Sequence, residues 1–394
     1  MKKTLFLALC LCAVAATAAD YRVYIGGYTS GENFGINYYD YDSIATTLHS
    51  KGLAVVTDNP TYLVANAKGT ALYCVNETAS FEGSGTVSAF SVDTLTGKLR
   101  EISKQPTEGT YPCHLTLGKK DKRLVVANYG SGSAIVFPVD KKTYEIGAQT
   151  AFFQYEGTGP NAKRQEGPHA HSAVYCPDFT HLYCCDLGTD TIHAYEVKRT
   201  GIPITPAITP KIASTPGAGP RHIVFHPQKT SFAYVLNELD NTISLYHYHG
   251  DCKLFRLIKK KKDLQDGRLE AIASWSTLPK EFEGDNLASA VRIHPNGKFL
   301  YASNRGHDSI ATFAIDTKTG ELDLIKFTPT EGKTPRDFAI SPDGHSMIVA
   351  NQDSNTLVTF RVDPKTGELI STGTPIATSE KPTCVLIVPL SSDK

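Results

Sequence analysis

The residues with the clearest chemical potential begin and end one predicted β-hairpin. Arg221 and His222 begin an apolar stretch, and Glu238 directly follows a second apolar stretch that ends at Asn237. In an antiparallel hairpin, the start of one strand lies beside the end of the next. Arg221, His222 and Glu238 are therefore predicted neighbours. A guanidinium, an imidazole and a carboxylate at one place could bind an anion and transfer protons.

The same hairpin recurs along the chain, with an Asn or Asp closing each second strand. The opening and closing residues are Pro60 and Asn76, Pro112 and Asn128, Ala170 and Asp186, Pro220 and Asn237, Ala288 and Asn304, and Pro335 and Asn351. Five of these spans are 16 residues long, and the span from Pro220 has one residue more. A third alternating strand follows, often with the turn D-x-x-T-G-x-L, as at 93–99, 316–322 and 363–369. The glycine of that turn supplies the positive φ that a hairpin needs.

Repeated units of this kind predict the fold. Four short antiparallel strands per unit, with the units opening 47 to 68 residues apart, are typical of β-propeller blades. We predict an all-β, seven-bladed β-propeller in one domain, residues 20–394, with its strands between 21 and 390. The closing blade would join 21–28 and 35–42 to 383–388, which removes free sheet edges. Residues 251–285 are predicted to be a longer excursion of the fifth blade, with Trp275 packing on its outer strand.

The first strand of each blade lines the central channel of a propeller, so equivalent residues should form rings at one channel mouth. The ring at the strand openings is Cys113, His171, Arg221, Ser289, Arg336 and Thr383. The next ring is His114, Ser172, His222, Ala290, Asp337 and Cys384. The ring after the closing Asn or Asp is Glu77, Tyr129, Leu187, Glu238, Arg305 and Gln352.

These rings predict an excess of positive charge at one mouth. The cationic and imidazole candidates are Arg221, Arg292, Arg305, Arg336, His114, His171 and His222, and the acids are Glu77, Glu238 and Asp337. Such a set favours a small anionic ligand, bound by phosphate or carboxylate. It lacks the converging carboxylates that a central metal ion would need. Simple ion pairs remain open interpretations for Arg336 with Asp337, for Arg305 with Glu238 or Asp308, and for Arg221 with Glu238.

Several stretches resemble a known family. They are Gly-Pro-His-Ala-His-Ser at 167–172, Gly-Pro-Arg-His at 219–222, Ser-Asn-Arg-Gly-His-Asp-Ser-Ile at 303–310 and Thr-Pro-Arg-Asp-Phe at 334–338. The chain is similar to the seven-bladed propeller lactonases. That family includes bacterial propeller-type 6-phosphogluconolactonases and the fungal carboxy-cis,cis-muconate lactonizing enzyme. The resemblance implies a site without metal or cofactor, formed by His171, Glu238, Arg221 and either Arg292 or Arg305.

The resemblance also implies hydrolysis of a sugar lactone, either 6-phosphogluconolactone or a related aldonolactone. Glu238 or His171 would act as general base, and Arg221 or Arg292 would stabilise the oxyanion. The remaining candidates for substrate binding are His222, Arg305, Arg336, His114 and Gln352. Two alternatives stay open, which are a cycloisomerase of the carboxy-muconate type and a non-enzymatic ligand- or protein-binding propeller.

The N-terminus predicts export. Residues 1–19 combine Lys2 and Lys3, an apolar run at 5–14 and small residues at 16–19, the pattern of a secretory signal peptide that is too short for a membrane span. We expect a periplasmic or secreted monomer, and export favours a lactone other than a cytoplasmic sugar phosphate. With 40 Lys and Arg against 40 Asp and Glu, charge gives no support for nucleic-acid binding. The seven cysteines after residue 19 include no C-x-x-C pair, so we predict neither a disulfide framework nor a zinc site.

Overall fold

A computed structural model of the chain describes residues 19–30, 34–198, 204–250, 267–378 and 381–390. Within these ranges, 29 strands form seven sheets, and two short 3₁₀ turns lie at Lys119–Asp121 and Leu187–Thr189. The predicted signal peptide lies outside the described residues apart from Ala19, and so does the 251–266 part of the predicted excursion.

Each sheet is one blade with four antiparallel strand positions. The first strand of the repeated hairpin is the innermost position, and the other three follow outward from it. Blade 1 is β29 (Pro382–Pro389), β1 (Tyr21–Gly27), β2 (Gly35–Asp42) and β3 (Thr47–Val56). Blade 2 is β4 (Tyr62–Ala65), β5 (Ala71–Phe81), β6 (Ser84–Val92) and β7 (Leu99–Pro106). Blade 3 is β8 (Pro112–Leu117), β9 (Arg123–Asn128), β10 (Ser133–Pro138) and β11 (Ala151–Gln154).

The other four blades follow the same order. Blade 4 is β12 (Ala170–Tyr175), β13 (His181–Asp186), β14 (Thr191–Val197) and β15 (Ile204–Ala213). Blade 5 is β16 (Pro220–Phe225), β17 (Phe232–Asn237), β18 (Thr242–Tyr248) and β19 (Leu269–Ser276). Blade 6 is β20 (Leu287–Ile293), β21 (Phe299–Arg305), β22 (Ser309–Ile315) and β23 (Leu322–Pro329). Blade 7 is β24 (Pro335–Ile340), β25 (Ser346–Asn351), β26 (Thr356–Val362) and an outer position split between β27 (Leu369–Ser371) and β28 (Ile376–Ala377), both paired with β26.

The ring closes through the two ends of the chain, as predicted. β29 pairs with β1 along its length, for example Leu386 with Tyr24. The first strands contact each other in the order β29, β4, β8, β12, β16, β20 and β24, and β24 contacts β29 again. The prediction of a seven-bladed propeller is confirmed. Trp275 of β19 packs, half-buried, between blades 5 and 6.

Repeated side-chain hydrogen bonds explain why particular residue types recur in the blades. The closing asparagines Asn128, Asn304 and Asn351 donate through their amide nitrogens to carbonyl oxygens of the connection that precedes the same blade, at 2.6 to 3.0 Å. Tyrosines of the second strands fasten one blade to the next. Tyr234 of blade 5, for example, donates to the carbonyl of Gly320 in blade 6 at 2.8 Å. Gly320 has φ +82° at the D-x-x-T-G-x-L turn, a conformation that glycine adopts without strain.

Two histidines that precede turn prolines also join blades. Nε2 of His226 lies 2.8 Å from the carbonyl oxygen of Gly297, and Nε2 of His294 lies 2.8 Å from that of Gly344. Both residues serve the packing of neighbouring blades. Cys252 lies outside the described residues, and the six cysteines within them are free and buried. In the same part of the chain, no helix has the length and apolar character to cross a bilayer.

Candidate active site

A β-bulge at the start of the first strands turns one ring of side chains toward the channel mouth. The register steps from Pro220↔Asn237 to His222↔Leu236, so Arg221 is an extra residue without a partner. The same step leaves out Cys113, His171, Arg336 and Thr383 in blades 3, 4, 7 and 1. A bulge bends the strand and re-aims the extra side chain. The residues predicted to form the opening ring are therefore the residues that the bulges redirect.

Glu238 is the most heavily contacted carboxylate of the mouth. Its Oε1 accepts a hydrogen bond from Arg164 at 2.5 Å. Its Oε2 accepts from Nε of Arg221 and lies beside Nη2 of Arg305, both at 2.8 Å. Burial alone would raise the pKa of Glu238, but Arg305 and Arg221 outweigh it and hold that pKa well below the ordinary range. Glu238 is therefore a permanent anion that keeps three arginines together.

Arg221 is buried and lines the channel mouth. Besides Glu238, it donates to the carbonyl oxygen of Ser289 in blade 6 and lies against the ring of His222. Burial and the neighbouring charge of Arg305 lower the pKa of Arg221 to about 10, against the opposing effect of Glu238. The guanidinium still carries its charge at neutral pH, and three cations share one anion at this point.

Three buried imidazoles lie next to this cluster. The rings of His171 and His114 are 5.4 and 5.6 Å from the ring of His222. Burial, followed by the charge of Arg221, lowers the pKa of His171 and of His222 well below the usual value. Burial and the charge of Arg292 lower the pKa of His114 to about 3. All three histidines are therefore neutral at pH 7.

His171 has the contacts of a group that could accept a proton. Its Nε2 lies 4.0 Å from Oε2 of Glu238, and its Nδ1 lies 3.8 Å from the Cys113 sulfur. The ring of Tyr129 meets it edge-on at 5.4 Å. Burial raises the pKa of the Cys113 thiol above the range in which a thiolate forms at neutral pH. Cys113 is therefore a neutral neighbour of His171.

A second carboxylate, Glu77, lies across the mouth and has different partners. Its Oε1 accepts a hydrogen bond from the hydroxyl of Tyr28 at 2.7 Å. Arg336 donates to the same hydroxyl and to Oε1 of Gln352, both at 3.2 Å. The guanidinium carbon of Arg336 also lies 5.4 Å from the centre of the Tyr28 ring. Arg336 and Gln352 thus belong to the Glu77 side of the mouth.

Arg292 is held apart from Glu238. Its Nη2 donates to Oδ1 of Asp337 at 2.8 Å, and the other oxygen of Asp337 accepts from the backbone nitrogen of Val385 at 3.0 Å. This resolves two open points of the sequence analysis. Asp337 pairs with Arg292 rather than with Arg336, and Arg305 is the blade 6 arginine that contacts Glu238.

These groups surround a small cavity at the channel mouth. Its lining combines members of all three predicted rings with residues before and in β4: Thr61, Tyr62, Glu77, Cys113, His171, Arg221, His222, Arg336, Asp337 and Thr383. The volume open to the centre of a water-sized group is about 10 Å³, which is room for about one water molecule. No group of three or more His, Cys, Asp or Glu side chains in the described ranges is arranged to hold a metal ion.

The structure thus brings together most of the predicted residues, and it adds others. His171, Glu238, Arg221, His222 and Arg305 form one contact network, with His114 next to it. Arg164 was not predicted because it lies in the connection between β11 and β12, which is outside the repeated hairpins. Tyr28 was predicted as the last residue of a strand, 21–28, and not as a residue of the mouth, whereas β1 ends at Gly27.

Comparison with known proteins agrees with this geometry. The family model described as "Lactonase, 7-bladed beta-propeller" matches residues 22–387. The chain belongs to this lactonase family. A Bacillus subtilis protein named 6-phosphogluconolactonase is 35% identical over 318 residues, which is 81% of this chain and 84% of the relative. A Formosa agariphila protein of the same name is 34% identical over 81% of this chain and 86% of its own length.

A solved structure extends the likeness. The periplasmic gluconolactonase of Pseudomonas aeruginosa superposes with a TM-score of 0.83 at 29% identity, over 94% of this chain and 99% of that protein. Fold, family and named relatives together identify this chain as a lactonase, an enzyme that hydrolyses lactones.

Proposed function

We propose that this lactonase opens an aldonolactone, glucono-1,5-lactone or its 6-phosphate, by metal-independent acid–base catalysis centred on His171. The observation that carries the proposal is a buried, neutral imidazole 4.0 Å from a carboxylate that three arginines keep ionised. The names of the relatives support an aldonolactone as substrate.

His171 is a better general base than Glu238. Both oxygens of Glu238 already accept from guanidinium groups, which hold the carboxylate in place. Such a carboxylate is a poor proton acceptor. His171 is neutral and lines the cavity, and its ring nitrogens lie 3.8 Å from the Cys113 sulfur and 4.0 Å from Glu238. The anion of Glu238 would stabilise the imidazolium that forms when His171 takes a proton.

The reaction can then be written with all atoms balanced. A water molecule attacks the lactone carbonyl carbon, and its proton passes to His171. The carbonyl oxygen becomes an oxyanion, which a guanidinium of the Arg221 and Arg305 pair stabilises. The bond to the ring oxygen breaks as the imidazolium returns its proton to that oxygen. The product is the open hydroxy acid, and His171 is neutral again.

The charge of the mouth supports an acidic product. Among the described residues of these contacts, three carboxylates, Glu77, Glu238 and Asp337, stand against five arginines, which are Arg164, Arg221, Arg292, Arg305 and Arg336. A carboxylate or phosphate on the ligand would reduce this excess of positive charge. The predicted signal peptide supports action in the periplasm or outside the cell, where we favour the unphosphorylated lactone.

The test is proton release on lactone opening, measured above the spontaneous rate for both lactones with and without chelator. We expect His171→Ala to lower kcat/KM about 10²- to 10⁴-fold, as loss of a general base does, and chelator to have no effect. The control is His49→Ala, because His49 is exposed on β3. Full activity of His171→Ala would refute its role. Conversion of a cis,cis-muconate without lactone opening would favour the cycloisomerase.

A further inference from the structure

The cavity holds two buried oxygen atoms that have no hydrogen-bond partner among the described residues. They are Oε2 of Glu77 and Oγ1 of Thr61, and both residues line the same cavity. Thr61 is only 3% exposed. Its backbone carbonyl already accepts from the hydroxyl of Thr383 at 2.9 Å, so the backbone is fixed while the side-chain hydroxyl is free to bind.

Glu77 and Glu238 occupy the same position after a closing asparagine, yet only Glu77 has a free oxygen. Guanidinium groups contact both oxygens of Glu238. Tyr28 fixes Glu77 through Oε1 alone, and Arg336 makes no ion pair within the described residues but bonds to Tyr28 and Gln352 instead. A buried carboxylate oxygen without a donor is unfavourable. A ligand that supplies a donor would remove this cost.

The complementary ligand group is a hydroxyl. A carboxylate oxygen only accepts, whereas the Thr61 hydroxyl can donate, and one hydroxyl can satisfy both at once. The open volume of about 10 Å³ matches a group of that size. A second carboxylate at this place would be repelled by Glu77, and a methylene would leave both protein groups unpaired.

We propose that Glu77 and Thr61 bind a ring hydroxyl of the substrate and thereby select polyhydroxy lactones over lactones without hydroxyl groups. This inference deepens the proposed function and rests on it for the identity of the lactone. A site built to bind a hydroxyl discriminates strongly against analogues that lack it, because its own polar groups are then left unpaired. The selection also disfavours unsaturated diacids.

The first experiment compares glucono-1,5-lactone with δ-valerolactone, which has no hydroxyl groups, in wild type, Glu77→Gln and Thr61→Val. For the sugar lactone, we expect Glu77→Gln to raise KM about 10- to 100-fold, the loss of one hydrogen bond to a charged group. Thr61→Val should raise KM about 2- to 10-fold. For δ-valerolactone, KM should not change. Glu166→Gln, at an exposed glutamate of the connection between β11 and β12, is the charge-matched control.

A loss of kcat without a change in KM would overturn the inference, because the pair would then hold the attacking water rather than the substrate. Equal effects on both lactones would overturn it as well. Melting temperatures of the variants establish that each one is folded.

The second experiment measures binding by calorimetry and needs no turnover. The probe is glucono-δ-lactam, a lactam that keeps the sugar hydroxyls and resists hydrolysis. We expect Glu77→Gln to weaken its binding about 10- to 100-fold, with δ-valerolactam unaffected. If the wild type opens no lactone but Glu77→Gln still weakens lactam binding, the proposed function is refuted and this inference stands. Equal lactam binding by wild type and Glu77→Gln, or no binding by either, would refute the inference.

Discussion

The neutral histidines of the mouth predict an acid-sensitive fold, and His114 is the best place to test this. The ring of Tyr62 lies tilted against that of His114 at 4.3 Å, and the ring of His222 lies 5.6 Å away. The backbone nitrogen of Ala173 donates to its Nδ1 at 3.4 Å. Burial, then the charges of Arg292 and Arg221, lowers the pKa of His114 to about 3. The informative change is His114→Asn, which keeps an acceptor near Nδ1 but removes the titrating group.

The sign follows from proton binding in the two states. The unfolded chain binds a proton at His114 with a pKa of about 6.5, while the folded protein does so only near pH 3. Between these values the unfolded state binds more protons, so the free energy of unfolding falls as the pH falls. For one such histidine, the loss between pH 7 and pH 5 integrates to about 2 kcal/mol. His114→Asn should be free of this loss.

Urea denaturation at pH 7 and pH 5 measures the difference, with fluorescence of Trp275, the single tryptophan, as the signal. We expect wild type to lose about 2 kcal/mol more than His114→Asn over this interval. His171 and His222 are present in both proteins, and burial and Arg221, the two largest causes of their lowered pKa, are unchanged, so most of their contribution cancels. His49→Asn, at an exposed position, should behave as wild type does. An identical pH dependence of wild type and His114→Asn would show that His114 is not held neutral by its surroundings.

Two further predictions concern the arginines and the closure. Arg305→Met should lower kcat/KM about 10²- to 10³-fold, the usual effect of losing one oxyanion donor. Arg292→Met should instead leave Asp337 buried without its cation and destabilise the fold by about 3 to 5 kcal/mol. Urea denaturation and lactone opening should be measured on both variants. A stable but inactive Arg292→Met variant would contradict this division of roles between the two arginines. A chain that ends at residue 381 lacks β29 and leaves β1 without its inner partner, so we expect no cooperative thermal transition. A transition like that of wild type would contradict the role of β29 in closing the ring.

The fold could be predicted from the sequence because the residues that close the hairpins make the same kind of hydrogen bond in several blades. Asn128, Asn304 and Asn351 each fix the connection that precedes their blade. The opening and closing residues predicted from the repeat are paired across the sheet. Pro112 pairs with Asn128, and Pro335 pairs with Asn351. When a side chain has the same structural role in several blades, the same residue type recurs at that position of the sequence.

The same reasoning could place residues at the mouth but could not pair them. It put His171, Arg221 and Arg336 in one ring from their equivalent positions in the repeat, and the structure has a bulge at that position in all three blades. It could not choose between Arg292 and Arg305, because that choice depends on how far each side chain reaches into a neighbouring blade. Arg164 had no position in the repeat, although it makes the shortest contact to Glu238.

The two glutamates of the mouth show how neighbouring blades give one backbone position two kinds of chemistry. Glu238 lies between an arginine that precedes blade 4 and Arg305 of blade 6, so its charge is neutralised on both sides. Glu77 belongs to blade 2. Blade 1 offers it the hydroxyl of Tyr28, and Arg336 of blade 7 reaches it only through that hydroxyl. A fully paired carboxylate fixes the cations and can change little when a ligand arrives. A half-paired carboxylate gains a partner when a ligand brings one. Glu77 therefore has more binding free energy left to give a substrate than Glu238 has.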